Sequence, residues 1–221
     1  MEINRPRLLP DTGLSRAEMK SLQREVADCA LFRDDLSIGD ESAIETATVA
    51  GIDQAFDGDT VVSAAVLVRD GEVLERTVAR VETEMPYMPG LLSFREAPGA
   101  LAALRALDRD PAVVLVDGSG RIHPREAGGT PERSLDSPLP AGTRIPIAAD
   151  DSVTAPDGTT IGHAVQTRQF DSEHRHVNPV YASPGHRVSA ATAAEVVERT
   201  TAGYKLPEPI RLADRHAGRR S

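Results

Sequence analysis

Apolar positions fall into three patterns along this chain. In SRAEMKSLQREVADCALFRDD, Leu22, Val26, Ala30 and Leu31 recur at helical spacing and Ser15 is placed to cap the first turn, so the pattern predicts a helical segment over 15–35. A second pattern starts at VAGID (49–53), a short apolar run closed by an acid, and continues through DTVVSAAVLVRDGEVLERTVARVE, where Asp70-Gly71 joins two strand-like runs. Asp-Gly between such runs favours a tight hairpin, which predicts three consecutive antiparallel strands over 48–82. The third pattern is AVVLVDGSG (112–120), an apolar run stopped by Asp-Gly, which reads as a buried strand of parallel type. It follows a helix predicted through Leu101, Leu104 and Leu107, and a strand reached in that way implies a right-handed crossover.

The rest is more broken. Residues 128–160 are dense in Pro, Gly, Asp and Ser and offer only short pieces such as TRIPI. IGHAVQTRQF and PVYASPGH read as strands, and VSAATAAEVVERTTAGY as a helix with Ser189 as its cap and Gly203 near its end. The predicted class is α/β, a mixed sheet of three antiparallel strands plus one parallel strand, flanked by helices. No internal repeat is present.

Composition narrows the setting. A length of 221 residues predicts one domain over 1–221, with the helical segment 15–35 at one end and a flexible basic tail, 211–221, at the other. No apolar run approaches the roughly 18 residues of a membrane helix, and the opening MEINRPRLLPDTG lacks the core of a signal peptide. With the single Cys29, these features predict a soluble, monomeric cytoplasmic protein without disulfides. The formal charge is −9, and the only lysines are Lys20 and Lys205. Charge alone argues against a nucleic-acid partner.

The acids change that picture. Asp53 closes the first strand, Asp117 closes the fourth, and Glu96 opens a helix after a tight loop. Side chains beyond the carboxyl ends of neighbouring strands gather at one site, and two or three carboxylates there repel one another unless a cation joins them. Oxygen-only donors suit Mg²⁺ or Mn²⁺ better than zinc. An aspartate before glycine, as in Asp117-Gly118, is also an ordinary turn residue, so spacing leaves both readings open. Acids on the first and fourth strands plus one on a helix is the arrangement of RNase H-like nucleases, which activate water for phosphodiester hydrolysis.

VAGID (49–53), PYMPGLLSFREAP (86–98), VLVDGSGRIHPR (114–125), PVYASPGHRVS (179–189) and GYKLPEPIRLADR (203–215) together resemble the endonuclease V family, in order over most of 49–215. The resemblance implies an RNase H-like fold, Mg²⁺ dependence, and recognition of deoxyinosine in DNA, with some members of the family preferring inosine in RNA. It further implies nicking of the second phosphodiester 3′ to the lesion, leaving 3′-hydroxyl and 5′-phosphate ends. By motif, Asp53, Glu96 and Asp117 become metal ligands. Pro86, Tyr87, Met88, Pro89 and Gly90 form a wedge that contacts substrate, and His123 and His186 follow as catalytic and substrate-binding histidines. Prolines stiffen Tyr87 for stacking where a base is extruded, and Gly118 and Gly120 allow close approach of backbone to that base. For His186 a capping role on an exposed turn stands equally beside substrate contact. Lys205, Arg211 and Arg215 read either as phosphate contacts or as solvated charges, and His174 and His176 make only a weak metal pair.

One departure matters. Members of the family usually continue after His-Pro-Arg with an apolar helix and a strand ending in Gly-Val-Ala-Lys, whereas here Ala127-Gly128 runs directly into GTPERSLD. On the order of two dozen residues are missing, and the family's lysine with them. Arg125, Arg133 and Arg144 are imperfect replacements, because a guanidinium has a different geometry. The alternative function is therefore a catalytically weakened or inactive protein that binds inosine-containing nucleic acid. The loss also predicts an uncovered edge on the strand of Asp117 and a less stable protein.

Overall fold

The structure, a computed structural model, describes residues 4–11, 13–35, 44, 46–83, 85–118, 120–121, 139–150, 155–169 and 178–218. The chain divides into two compact units. The first comprises Met1–Ala30, Ala47–Asp117 and Pro209–Ser221, and the second comprises Leu31–Thr46 and Gly118–Glu208.

A four-stranded mixed sheet organises the first unit. β1 (Val49–Asp57), β2 (Thr60–Arg69) and β3 (Glu72–Glu82) are antiparallel neighbours, and β4 (Val113–Val116) lies parallel to β1, giving the order β3-β2-β1-β4. The hairpin falls where it is predicted. Asp70 and Gly71 both take positive φ, 49° and 76°, the twist that a two-residue turn between right-twisted strands demands. Nearly every residue of β2 is buried, as its unbroken apolar run requires.

α1 (Arg16–Asp28) starts with a complete capping box, in which the Ser15 hydroxyl accepts from the Glu18 backbone and the Glu18 side chain accepts from the Ser15 backbone. It buries Met19 against Met85, Leu91 and Phe94, while Val26, expected on the packed side, is exposed. α2 (Leu92–Arg105) lies on the sheet face formed by Ala50, Ile52, Ala65 and Leu67, into which it sends Ala103 and Leu104. It begins at Leu92, so Glu96 lies inside the helix instead of opening it, and Leu107 lies beyond its end. The chain runs from β3 through α2 to β4, which lies parallel to β1 as the run pattern predicts.

Two expectations are corrected. Residues 211–217, read from sequence as a loose basic tail, belong to a further helix, Glu208–Ala217, with Pro209, Ile210, Ala213 and Ala217 buried. Apolar side chains at positions 210, 213 and 217 form a stripe that the surrounding arginines obscure. β4 was read as buried, yet Val114 and Val116 are 37% and 57% exposed, because the cover given by α2 does not reach this outer strand.

In the second unit β5 (Arg144–Ala148), β6 (Thr160–Val165) and β7 (Val180–Ala182) form an antiparallel sheet in the order β5-β6-β7. α3 (Ala190–Arg199) packs on β6. Its first turn is capped twice, by the Ser189 hydroxyl accepting from the Thr192 backbone and by Asp34 accepting from the Ser189 backbone at 2.8 Å. It stops at Arg199, four residues short of Gly203. The helix Glu208–Ala217, which returns the chain to the first unit, is α4. Among the described residues no helix is long and apolar enough to cross a membrane.

Candidate functional site

The acids of the first unit are placed by two close approaches of backbone. On β1, Gly51 lies so near α4 that a Cβ there would stand 2.3 Å from the Pro209 carbonyl carbon. Only glycine admits that distance. Asp53 is two residues further along the same face of β1, and Asp214 is one helical turn beyond Ile210, so the contact that requires Gly51 also delivers Asp214 to Asp53. On α2, a Cβ at Gly99 would stand 2.5 Å from the Ser63 hydroxyl of β2, which holds the helix tight to the sheet one turn after Glu96. Asp117 follows β4 directly, its backbone N–H donating to the Ile52 carbonyl at 3.2 Å.

Asp53 and Glu96 feel the charge of neighbouring acids. Burial above all pushes the Asp53 carboxyl up to about 6, and the charges of Asp117 and Asp214 and a hydrogen bond shared with Asp214 add to it. The Gln54 N–H, donating at 2.8 Å, works in the opposite direction. Glu96 is likewise raised, first by burial and then by Asp53 and Asp117, with Arg95 pulling it back. The structure thus brings together the three acids singled out from sequence and adds a fourth, Asp214, which the sequence reading missed. Its signal lay in plain view, at the exposed flank of the 210, 213, 217 stripe.

No three His, Cys, Asp or Glu side chains among the described residues already stand in coordinating positions. The acids are near enough to repel without having closed on a common point. An all-oxygen donor set of this kind suits a hard divalent cation.

Arg95 is the cation beside this group. Its guanidinium stacks over the Phe56 ring at 4.2 Å, and its buried Nε has no hydrogen-bond partner. Of the arginines weighed as substitutes for a lysine, Arg144 is held by Glu198 through a 2.6 Å hydrogen bond, while Arg125 and Arg133 lie outside the described residues.

The proline-bracketed loop stands out from the first unit as a rigid tip. Met85 and Leu91, on either side, are buried in the cluster with Met19 and Phe94, and Pro86, Tyr87, Pro89 and Gly90 are exposed between them. Gly90 takes φ of 80°, its carbonyl accepts from Gln23 of α1 at 2.9 Å, and the Leu91 N–H closes the turn on the Met88 carbonyl. Tyr87 is 59% exposed although its loop is pinned at both ends.

In the second unit Gly120, at φ 52°, packs against Ser183, where a Cβ would stand 2.9 Å from the serine side chain. The Arg121 N–H donates to the Ser183 hydroxyl at 2.9 Å. Gly118 has open space around its Cα. His186 accepts the Leu31 N–H at Nδ1, 3.3 Å away, so its ring ties down the start of the 31–35 segment. Lys205 donates to Asn178 at 2.5 Å. His123, His174 and His176 lie outside the described residues.

A sequence profile of the endonuclease V family matches residues 31–130 and 144–215. The chain is 51% identical to an endonuclease V of Haloarcula marismortui over 96% of its own length and 95% of that protein's. It is 45% identical to one of Halobacterium salinarum over 98% of each. Among solved structures it is similar to an endonuclease V of Streptomyces avermitilis, with 30% identity, a TM-score of 0.71, and 92% and 91% of the two chains covered. The endonuclease V of Ciona intestinalis, solved with a 24mer DNA containing an inosine followed by a ribo-adenosine, shares the fold at 22% identity with a TM-score of 0.70, over 90% of this chain and 94% of that one. The first alignment spans 257 positions while using 96% of 221 residues, so roughly 45 positions of that relative have no counterpart here. The profile breaks between 130 and 144, in the region where the sequence reading places the loss.

Proposed function

Since the chain belongs to the endonuclease V family, we propose that it is a divalent-metal-dependent endonuclease that recognises deoxyinosine in DNA. It nicks the second phosphodiester on the 3′ side of the lesion, leaving 3′-hydroxyl and 5′-phosphate ends, and acts in the cytoplasm as a monomer. The observation that carries this reading is the cluster of acids around Asp53, whose carboxyl is lifted to about 6 by burial above all and then by the charges of Asp117 and Asp214. Asp53, Glu96 and Asp117, with Asp214 beside them, would hold Mg²⁺, Mn²⁺ being the alternative. The cation would supply activation of water and neutralisation of the leaving oxygen.

The chain's own groups do the rest. Arg95 sets a positive charge beside Glu96, where phosphate charge rises as the bond breaks. His123 positions water or holds the scissile phosphate. Tyr87, stiffened by Pro86 and Pro89 and backed by Met88 and Gly90, occupies the gap that an extruded base leaves, while Gly118 and Gly120 admit the base edge. His186 acts by fixing the turn that follows Ser183. DNA is the partner, with inosine-containing RNA as a second substrate.

A second reading rests on the absent segment and its lysine: a protein that binds inosine-containing strands with weakened or no cutting. One assay separates the two. Wild type and Asp53→Ala are incubated with an inosine-containing oligonucleotide and Mg²⁺ at low and molar salt. Nicking by the wild type alone supports the enzyme, retention without nicking supports the binder, and neither outcome removes both.

A further inference from the structure

The loop that carries Tyr87 is not held by its own residues alone. Its start is tied to the sheet, where the Thr83 N–H donates to the Asp59 carbonyl at 2.8 Å and the Thr83 hydroxyl accepts from the Met85 N–H. Met85, Met88 and Leu91 recur at every third position and pack into the cluster that α1 supplies with Met19 and, in part, Leu22. Pro86, Tyr87, Pro89 and Gly90 are left exposed. The turn 88–91 has Pro89 and Gly90 at its two central positions, and Gly90, at φ 80°, takes the conformation that a type II turn asks of its third residue.

A polar contact reaches this tip from α1. Gln23 donates its side-chain amide to the Gly90 carbonyl at 2.9 Å. The helix that offers it is itself fixed, by the capping box at Ser15 and by Glu25, which pairs with Arg7 of the short 3₁₀ turn Pro6–Leu8. All of these residues belong to the first unit.

A wedge contributes to recognition to the extent that its geometry is set beforehand, because ordering a loop on binding consumes affinity. We propose that Gln23 is a positioning residue for lesion recognition, holding the 88–91 turn so that Tyr87 is preset for the gap an extruded base leaves. The proposal rests on the wedge reading of Tyr87 given above and adds to it a residue that acts through Tyr87.

Gln23→Met keeps the length of the side chain and removes the donor, and Gln23→Glu keeps the shape and sets oxygen against oxygen. Each is compared with wild type, Tyr87→Ala and the double variants, after thermal melting has verified that all are folded. Binding is measured in Mg²⁺ with an inosine-containing oligonucleotide whose scissile linkages are made uncleavable, offered as a duplex and as a single strand, with an undamaged duplex as reference. Loss of the brace weakens binding to the inosine duplex about three- to tenfold, the worth of one hydrogen bond. Single-strand binding is unchanged, because a base already out of the stack leaves no gap to fill. In the Tyr87→Ala background the Gln23 substitutions have no further effect. Equal losses on duplex and single strand, or losses that add to that of Tyr87→Ala, overturn the proposal, since Gln23 then only supports the fold. Full duplex affinity in the Gln23 variants beside a loss in Tyr87→Ala also overturns it and leaves the wedge reading intact. If Tyr87→Ala binds the duplex as wild type does, the wedge reading falls and the proposal with it. A wild type that binds the inosine duplex no better than the undamaged one overturns the deoxyinosine reading as well.

Discussion

At the scale of single residues the decisive group is Asp53. Its carboxyl has an ordinary pKa of 3.8 and stands near 6 in the fold, so the folded state holds that proton more tightly than the unfolded state does. Below pH 4 both states are protonated and the site carries no penalty. As pH rises through 4 to 6 the unfolded chain ionises first, and the metal-free protein loses stability by on the order of 1–2 kcal/mol after solvent screening. The loss is complete above pH 6. Asp53→Asn removes it, so in chelator at pH 7 this variant melts higher than wild type while nicking no DNA. Added Mg²⁺ raises the melting temperature of wild type far more than that of the variant. An unchanged or lower melting temperature for Asp53→Asn in chelator contradicts the argument. Asp214 acts on the same balance, because it shares a hydrogen bond with Asp53 and repels it. Asp214→Asn is expected to move the Asp53 transition toward lower pH and to cut nicking at least about tenfold, roughly 1.4 kcal/mol in the barrier. Unaltered activity together with an unmoved transition argues that Asp214 is only a surface charge.

The scale of elements explains why some of this was legible in the sequence and some was not. Hairpins, helix caps and strand ends are local, so Asp70-Gly71, Ser15 and Ser189 announced themselves, and with them the positions of Asp53 and Asp117. Glu96 was placed on the correct helix though at the wrong point along it, since proline loops blur where a helix begins. Asp214 was invisible for a different reason. Its placement depends on α4 pressing on β1 at Gly51, a contact between segments more than 150 positions apart, and no pattern within VAGID distinguishes a glycine of close approach from one in any apolar run. Gly51→Ala tests that contact. The added methyl meets backbone, which cannot swing aside, so α4 must shift. A loss of about 2–3 kcal/mol in unfolding free energy by denaturant titration is expected, and nicking should fall further than the loss of folded protein explains. Gly185→Ala, at a position with open space and no positive φ, is the control for general glycine effects. If Gly51→Ala costs no more than Gly185→Ala, the close approach does not position the site.

For the molecule as a whole, the lost segment and the bare face of β4 are one problem. Val114 and Val116 lie beside Ala50 and Ile52 in the parallel register, yet those two are buried under α2 and the valines are not. The helix and strand that the family resemblance implies after the His-Pro-Arg motif would extend the sheet past β4 and cover this face. Their absence leaves two half-exposed valines and an unpaired strand edge among the described residues. Burying a valine fully is worth about 1.5–3 kcal/mol, so half of that for each of two side chains, with further apolar area from the helix itself, sets a gain of roughly 2–3 kcal/mol. The loop-closure cost of the insertion is small beside it, since doubling a loop costs only about 0.6 kcal/mol. Grafting the corresponding segment of the Haloarcula marismortui relative after residue 128 is therefore expected to raise both the urea midpoint and the m value, because more surface is exposed on unfolding. The resemblance places the family's lysine in that segment, so a version carrying methionine at the position separates stability from catalysis. Equal midpoints for the grafted and native chains would show that β4 is already covered, and the valines' exposure would then have no bearing on stability.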